Sequence, residues 1–279
     1  MKLIKSIEKA KQQREKVKQK KAEEPVLTQE IENFVSEKSL PNQDCESPVY
    51  CESRSVRLDA DLLAQNRCVC MLPDAPETEF YKVLRTNIIQ RTKEKNWNTI
   101  MVTSVQPGEG KTITSINLTA AFAKEFNQTV LLVDCDLRRQ KVHKYLNFSN
   151  EKGIVDYLLN NCRLKDLMVW PEIDKMTVIS GGKTISNSAE LLGSPKMKTL
   201  VHEIKHRYDD RYVIYDVPPI FSGADTIAFA PLVDCILMVV EEGRTSIKDV
   251  KKALELIPNE KFLGFVLNRR KSPTHGYYY

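Results

Sequence analysis

The sequence predicts an α/β fold with a mostly parallel sheet and helices on both of its faces. The first observation is alternation, because short apolar strands and helical segments follow one another between residues 77 and 270. Such alternation favours parallel pairing, with helices covering both faces. The second observation is that three strands end in residues able to bind phosphate or a metal ion. The predicted strands are 99–104, 130–134, 176–179, 212–216, 235–240 and 263–267, and the predicted helices are 79–91, 111–126, 195–206, 225–230 and 246–256.

Composition divides the 279 residues into four predicted parts. Residues 1–24 hold nine Lys or Arg and four Asp or Glu, so this basic amphipathic arm accounts for the whole net charge of +5. Residues 25–76 are polar, lack a sustained period and predict a poorly ordered linker. We expect residues 77–270 to form the folded domain and residues 271–279 to form a flexible tail. Because the rest of the chain is about neutral, we expect no nucleic-acid partner.

The cysteines and the apolar segments indicate a cellular compartment. Seven cysteines, an odd number without the spacing of a zinc site, predict reduced thiols rather than a disulfide framework. No apolar run approaches the ~20 residues of a membrane span, and the N-terminus lacks the apolar centre of a signal peptide. We therefore expect a cytoplasmic protein that reaches a membrane only through its basic arm or through a partner.

The strongest local signal is a glycine-rich turn between a predicted strand and a predicted helix, with the sequence VQPGEGKT over residues 105–112. Its final Gly-Lys-Thr is typical of a P-loop NTPase, in which backbone N–H groups and a helix N-terminus surround phosphate. Lys111 is expected to hold the β- and γ-phosphates of ATP, and the Thr112 hydroxyl to bind Mg²⁺. One departure is Val105, which stands where the generic pattern has glycine. The expected nucleotide-binding residues are Gly108, Glu109, Gly110, Lys111, Thr112 and Ile113.

Two further predicted strands end in carboxylates. One delivers Asp134 and Asp136, and the other ends in Asp216 before two prolines. Ligands of open α/β sheets bind outside the carboxyl ends of the strands. One carboxylate can therefore hold Mg²⁺ while another takes the proton of an attacking hydroxyl. The open alternatives are a surface loop whose aspartates pair with Arg138 and Arg139, and a simple turn after Asp216.

These motifs together resemble the bacterial tyrosine kinase family, and in particular the stand-alone cytoplasmic kinases of exopolysaccharide loci. The likeness consists of the P-loop, Asp-x-Asp-x-Arg from Asp134 and Asp-x-Pro-Pro from Asp216, and it covers roughly residues 79–270. The family is related to the MinD and ParA ATPases, which carry an extra lysine five residues before the P-loop lysine. This chain has Gln106 there, which favours the kinase branch.

The resemblance implies a role for each site residue, with ATP and Mg²⁺ as the bound groups. Asp134 would assist the tyrosine hydroxyl, and Asn268 would lie near the adenine. The implied catalytic residues are Lys111, Asp134 and Asp136, and the implied metal ligands are Thr112, Asp136 and Asp216.

The resemblance also implies substrates and partners. The tyrosines at the end of the tail, Tyr277, Tyr278 and Tyr279, would be the phosphoacceptors. The family's oligomerisation motif, Glu-x-x-Arg-x-x-Arg, is matched by Glu79, Lys82 and Arg85, although lysine lacks the planar fork of arginine. A membrane chain-length-determinant protein, or polysaccharide co-polymerase, would activate the kinase at the inner face of the plasma membrane. The function would be control of polysaccharide polymerisation or export.

Two other functions remain open at this stage. One is a MinD/ParA-like ATPase switch that regulates a partner without phosphorylating it. The other is a scaffold that binds nucleotide without kinase activity. The terminal tyrosines favour the kinase, and the complete set of acidic residues disfavours the scaffold.

Overall fold

The computed structural model describes residues 54–270. The predicted basic arm, residues 25–53 of the predicted linker and the tyrosine tail lie outside the described residues. The strands are β1 (Arg54–Ser55), β2 (Thr99–Ser104), β3 (Thr129–Asp134), β4 (Met168–Trp170), β5 (Met176–Ile179), β6 (Arg211–Asp216), β7 (Cys235–Glu241) and β8 (Phe262–Asn268). The helices are α1 (Ala60–Gln65), α2 (Thr78–Lys93), α3 (Lys111–Ala123), α4 (Val142–Tyr145), α5 (Ile154–Asn160), α6 (Ser188–Leu192), α7 (Pro195–His206), α8 (Asp225–Phe229) and α9 (Ile247–Glu255).

The eight strands form one sheet in the order β1-β4-β5-β3-β6-β2-β7-β8. Every neighbouring pair is parallel except β4 and β5, which are antiparallel. The strands β2, β3 and β6 are buried along their whole length, as expected for a parallel sheet covered on both faces. The predicted mostly parallel α/β fold is therefore confirmed.

Two apolar layers flank the sheet, and alternation along each strand assigns side chains to them. On β2, Met101 packs in one layer, whereas Ile100 and Val102 pack in the other. Since successive side chains of a strand point to opposite faces, each strand contributes to both layers. Helices therefore have an apolar surface to cover on either side.

The sequence signals at helix ends match the structure. Ser194 caps α7 by accepting a hydrogen bond from the Met197 N–H, and Pro195 occupies its first turn. Ser246 caps α9 in the same way, accepting from the Asp249 N–H. The predicted strands and long helices are all present, and α3 ends at Ala123 rather than at residue 126. The missed elements are short: β1, β4, α1, α4, α5 and α6 each have seven residues or fewer.

The predicted linker is wrong over residues 54–76, because this segment packs on the domain. Its residues Leu63, Cys68 and Cys70 are buried. Asn117 of α3 accepts a hydrogen bond from the Cys70 N–H and donates one to the Arg67 carbonyl, each at 2.9 Å. A polar sequence with a few widely spaced apolar residues shows no helical or strand period. The sequence pattern therefore did not predict that this segment packs on the domain.

The thiols of this segment belong to the interior. Burial raises the pKa of Cys68 to about 12 and that of Cys70 to about 11, so neither forms a reactive thiolate near neutral pH. The described cysteines are all free. None of the helices between residues 54 and 270 is long and apolar enough to cross a membrane.

Candidate active site

The P-loop connects β2 to α3. Gly108 and Gly110 have φ values of +88° and +95°, a left-handed conformation that side chains other than glycine rarely adopt. Space is also restricted, because a Cβ on Gly110 would lie 2.0 Å from the Asn268 Nδ2 atom. Val105 is fully buried in an apolar layer, which explains why the loop has an aliphatic residue where the generic pattern has glycine.

A buried glutamate holds the P-loop from inside. Glu109 is fully buried, and its carboxylate accepts a hydrogen bond of 2.9 Å from the Gln106 N–H. The same carboxylate accepts a hydrogen bond from the Thr245 hydroxyl, which follows β7. These two donors compensate part of the cost of burying the carboxylate. Thr245 was not predicted, because 136 residues separate it from Glu109 and no local pattern marks it.

The ends of β7 and β8 hold the loop from outside. The Asn268 side chain donates to the Glu109 carbonyl at 2.8 Å, and Arg244 donates to the Pro107 carbonyl at 2.9 Å. Asn268 was expected near the adenine, and the structure places it against the P-loop, in the same cavity. Its contact therefore positions the loop that is expected to bind phosphate.

The P-loop lysine lies between two carboxylates. Its Nζ atom is 2.9 Å from Asp136 Oδ2 and 3.3 Å from Asp216 Oδ1. The Thr112 hydroxyl donates to Asp216 Oδ2 at 2.7 Å. Burial opposes the charged form of Lys111, but the surrounding carboxylates outweigh it and raise the lysine pKa. Lys111 thus remains protonated, and the structure brings together the cation and carboxylates predicted from three separate motifs.

Asp134 has a different environment from Asp136. It is fully buried, and its oxygens accept hydrogen bonds of 3.1 Å from the N–H groups of Asp136, Lys141 and Val142. Burial raises its pKa to about 7, with a further contribution from the Asp216 charge. Asp136 lines the cavity, whereas Asp134 does not. Asp134 therefore shapes the loop after β3, and Asp136 is the carboxylate that a ligand can reach.

The alternative that these aspartates form ordinary surface pairs with the following arginines is not supported. Arg138 donates to the Ser188 hydroxyl at 2.6 Å and lies 3.3 Å from Asp225 Oδ2. Within residues 54–270, neither Arg138 nor Arg139 forms an ion pair with Asp134 or Asp136. The two aspartates face Lys111 and the backbone instead.

The donor set fits Mg²⁺ held together with phosphate. Thr112, Asp136 and Asp216 offer one hydroxyl and two carboxylates, the oxygen ligands that Mg²⁺ prefers. No group of three or more His, Cys, Asp or Glu in the described part of the chain could hold a metal ion alone. This agrees with the habit of Mg²⁺ of using one or two carboxylates with substrate phosphates.

Comparisons with known proteins identify relatives of this chain. An AAA domain matches residues 97–261. Tyrosine-protein kinase YwqD of Bacillus subtilis (strain 168) is 32% identical over 232 residues, covering 81% of this chain and 94% of that protein. Tyrosine-protein kinase CpsD of Streptococcus agalactiae is 32% identical over 194 residues, covering 68% of this chain and 82% of that protein.

Solved structures give the same assignment. The kinase domain of the Escherichia coli tyrosine kinase ETK has a TM-score of 0.68 and 27% identity, covering 84% of this chain and 95% of that one. MinD of Pyrococcus horikoshii complexed with Mg-ADP has a TM-score of 0.52 at 20% identity, covering 62% of this chain and 71% of that one. The MinD likeness shows the fold alone. By its relatives, its fold and its carboxylate-flanked P-loop, this chain belongs to the bacterial tyrosine-protein kinase family.

Proposed function

We propose that the chain is an ATP-dependent protein-tyrosine kinase that acts in control of exopolysaccharide or capsule production. The observation that carries this proposal is that Lys111 and Asp136 line one cavity together with the P-loop, while the buried Asp216 contacts Lys111 from beneath. Positive charge and oxygen ligands in that arrangement suit the transfer of a phosphoryl group, in which positioning and electrostatic stabilisation provide most of the catalysis.

The P-loop residues bind the triphosphate. The backbone from Gly108 to Ile113 supplies N–H groups at the start of α3, and Lys111 supplies the cation for the β- and γ-phosphates. Thr112, Asp136 and Asp216 would hold Mg²⁺, which when bound neutralises charge on the phosphates. The hydrogen bonds from Asn268 and Thr245 keep the loop in its phosphate-binding conformation.

The proton of the tyrosine hydroxyl needs an acceptor, because an unperturbed phenol has a pKa of ~10. The family resemblance implies this task for Asp134, whose buried oxygens accept hydrogen bonds from three backbone N–H groups. Asp136 is the carboxylate at the cavity surface. Because Asp136 lines the cavity and Asp134 does not, we assign hydroxyl activation to Asp136, in addition to its proposed share in holding Mg²⁺, and a positioning role to Asp134.

The proposed phosphoacceptors are Tyr277, Tyr278 and Tyr279. Support comes from connectivity, because Arg270, the last described residue, lines the same cavity as Lys111. The segment 271–279 therefore begins at the edge of the site. An extended chain covers ~3.3–3.6 Å per residue, so tyrosines seven to nine residues further on can reach the site of their own or a neighbouring subunit.

Glu79, Lys82 and Arg85, the residues of the proposed oligomer contact, already have partners within the chain. Glu79 and Lys82 pair with each other at 2.5 Å. Arg85 pairs with Glu125 at 2.5 Å and donates to the Ala121 carbonyl at 2.9 Å. Contact with a second subunit through these residues requires an exchange of partners, which lowers the net gain.

We also propose that a membrane chain-length-determinant protein recruits the kinase to the inner face of the plasma membrane. The family resemblance supports this partner. Its cytoplasmic end would activate the kinase, so the chain itself would need no membrane-spanning segment.

Intact-mass measurement with Mg-ATP tests the kinase assignment. The full chain should gain mass in steps of one phosphate, and a Tyr277/Tyr278/Tyr279→Phe variant should gain none. Lys111→Met should also gain none, because the phosphates lose their cation. The matched control is Lys124→Met, at the exposed C-cap of the same helix, which should behave like the parent chain. Release of ADP without any phosphoprotein would show an ATPase switch instead.

A further inference from the structure

A second, smaller cleft is lined by residues of the loop that carries Asp136. It lies between the end of α1 and the loop after β3, and its two walls are joined by a 3.0 Å hydrogen bond from Asn66 to the Tyr145 carbonyl. Asn66, Arg139 and Lys141 line both this cleft and the cavity that contains Lys111 and Asp136. The cleft is lined by none of the P-loop residues. It is thus an extension of the active-site cavity on the side away from the phosphate-binding loop.

Four exposed cations form what we call the basic rim: Arg139, Lys141 and Lys144 line this extension, and Arg67 lines the main cavity that it joins. None of the four forms an ion pair with a carboxylate in the described part of the chain. Arg138, which also lines the cleft, differs because it pairs with Asp225. The rim therefore presents side-chain N–H donors whose charge no neighbouring acid neutralises.

The backbone holds two rim residues in place. The Arg139 N–H donates to Asp136 Oδ1 at 3.0 Å, and the Lys141 N–H donates to Asp134 Oδ2 at 3.1 Å. These bonds fix the main chain while leaving both side chains available. The cations are consequently anchored to the same loop that carries the catalytic carboxylate.

The chemistry of the rim selects an anionic ligand with several acceptor oxygens. Arginine and lysine bind phosphate groups through charge-assisted hydrogen bonds. A planar lipid surface fits poorly, because the cations line a concave cleft rather than a protruding face. The site also adjoins Asp136, where an incoming tyrosine must lie. A phosphate carried on a peptide segment next to that tyrosine satisfies both requirements.

We propose that the basic rim binds a phosphotyrosine on residues 271–279 and so places a neighbouring tyrosine of the same tail at Asp136. This inference rests on the proposed kinase function. The side chains of the unmodified segment include Lys271 and no Asp or Glu, so they offer the rim no carboxylate. Each phosphate adds a charge of about −1.5 to −2 and three acceptor oxygens. The first phosphorylation thereby converts the tail into a ligand of the rim, and transfer to the adjacent tyrosines is favoured.

Peptide binding tests the proposal without any phosphoryl transfer. The probes are two fluorescent peptides of residues 270–279, one unmodified and one with phosphate on Tyr279. Each is titrated by fluorescence anisotropy against the full, phosphatase-treated chain in Mg-ADP, which fills the P-loop. The phosphopeptide should bind about 10-fold more tightly or better, since its added charge meets unpaired cations.

A charge-reversal pair identifies the surface. Lys141→Glu with Lys144→Glu should abolish the preference for the phosphopeptide. The matched control is Lys251→Glu with Lys252→Glu on α9, two exposed lysines whose reversal changes the net charge equally and should preserve the preference. Circular dichroism melting of both variants confirms that they fold.

Several results would overturn the proposal. Equal affinity for the two peptides would do so, as would an undiminished preference in the Lys141/Lys144 variant or an equal loss in the α9 control. Binding of the chain to phosphatidylserine vesicles through Lys141 and Lys144, without binding of the phosphopeptide, would assign the rim to a membrane instead. Failure of the kinase function is a separate outcome, because it appears as absent mass gain and does not affect peptide binding.

Discussion

Replacing Asp134 with asparagine tests whether this carboxylate stabilises the fold or takes part in phosphoryl transfer. The two Asp134 oxygens receive three backbone N–H groups, two on Oδ2 and one on Oδ1. Asparagine keeps one oxygen and replaces the other with an N–H₂ group, which cannot accept. In either orientation of the amide, at least one buried N–H of the loop loses its acceptor.

The magnitude follows from two opposing effects. An unsatisfied buried N–H costs about 1–3 kcal/mol, and the orientation that keeps the Oδ2-side bonds sacrifices only the Asp136 N–H. Burial raises the Asp134 pKa to about 7, which shows that its negative charge is itself unfavourable there, so a neutral amide recovers part of the loss. We expect Asp134→Asn to lower the free energy of unfolding by about 1–3 kcal/mol.

Urea unfolding of the full chain at neutral pH measures this change, with the fluorescence of Trp97 and Trp170 as the signal. The control is Asp136→Asn, two residues further along the same loop. That substitution removes a partner of Lys111 but also removes a charge that raises the Asp216 pKa, so its unfolding free energy should change by less than about 1 kcal/mol. Its phosphoryl transfer should fall by roughly 10²-fold or more.

The opposite pattern would refute the assignment. If Asp134→Asn unfolded at the urea concentration of the parent chain and yet abolished phosphoryl transfer, Asp134 would be the proton acceptor. If Asp136→Asn at the same time retained phosphoryl transfer, Asp136 would not be the group that activates the tyrosine hydroxyl.

Two further changes test the framework around the site. Burial opposes the charged form of Asp234, but hydrogen bonds from Lys205, Asn98 and Thr99 outweigh burial and lower the Asp234 pKa. Because the folded-state pKa lies below the unfolded value of ~3.9, ionised Asp234 stabilises the fold above that value. This stabilisation is lost as the pH falls through the folded-state pKa. Asp234→Asn should therefore cost about 1–2 kcal/mol at pH ~7 and much less at pH ~3, by urea unfolding at both values; an equal loss at both would contradict the sign. Thr245→Val removes the hydroxyl bonded to Glu109 and should weaken ATP binding about 10-fold in a fluorescent-nucleotide titration, whereas Thr245→Ser should not; unchanged affinity in the valine variant would show that Glu109 needs no side-chain donor.

The fold was predictable where a local pattern is long enough to show its period. The buried strands β2, β3 and β6 are continuous apolar runs, and their bounds agree with the sequence prediction to within one residue. The segment 54–76 was not predictable, because its anchors Leu63, Cys68 and Cys70 lie too far apart to form a stripe. Their burial depends on α3, which lies about 50 residues further along the chain.

The site divides in the same way. Lys111, Thr112, Asp136 and Asp216 could be found because each ends or follows a strand with a recognisable motif. The positioning role that we propose for Asp134 could not be read from its motif, since the three N–H groups that donate to it come from the path of the loop after β3. Thr245 also lacked a signal, because it reaches Glu109 only through the pairing of β2 with β7.

The order of the strands explains why remote motifs act at one place. β6 lies between β3 and β2, so the loop carrying Asp136 and the P-loop stand on either side of Asp216. β7 and β8 follow β2 on its other side, where Thr245 and Asn268 reach the P-loop. The P-loop is therefore supported from the side of β7 and β8, and Asp136 approaches Lys111 from the side of β3. The loop after β3 carries both Asp136, which faces Lys111, and Lys141 of the basic rim, whose main chain is fixed by Asp134. A tail held by the rim would consequently be placed against Asp136, the proton acceptor that we propose, by the same hydrogen bonds that shape that loop.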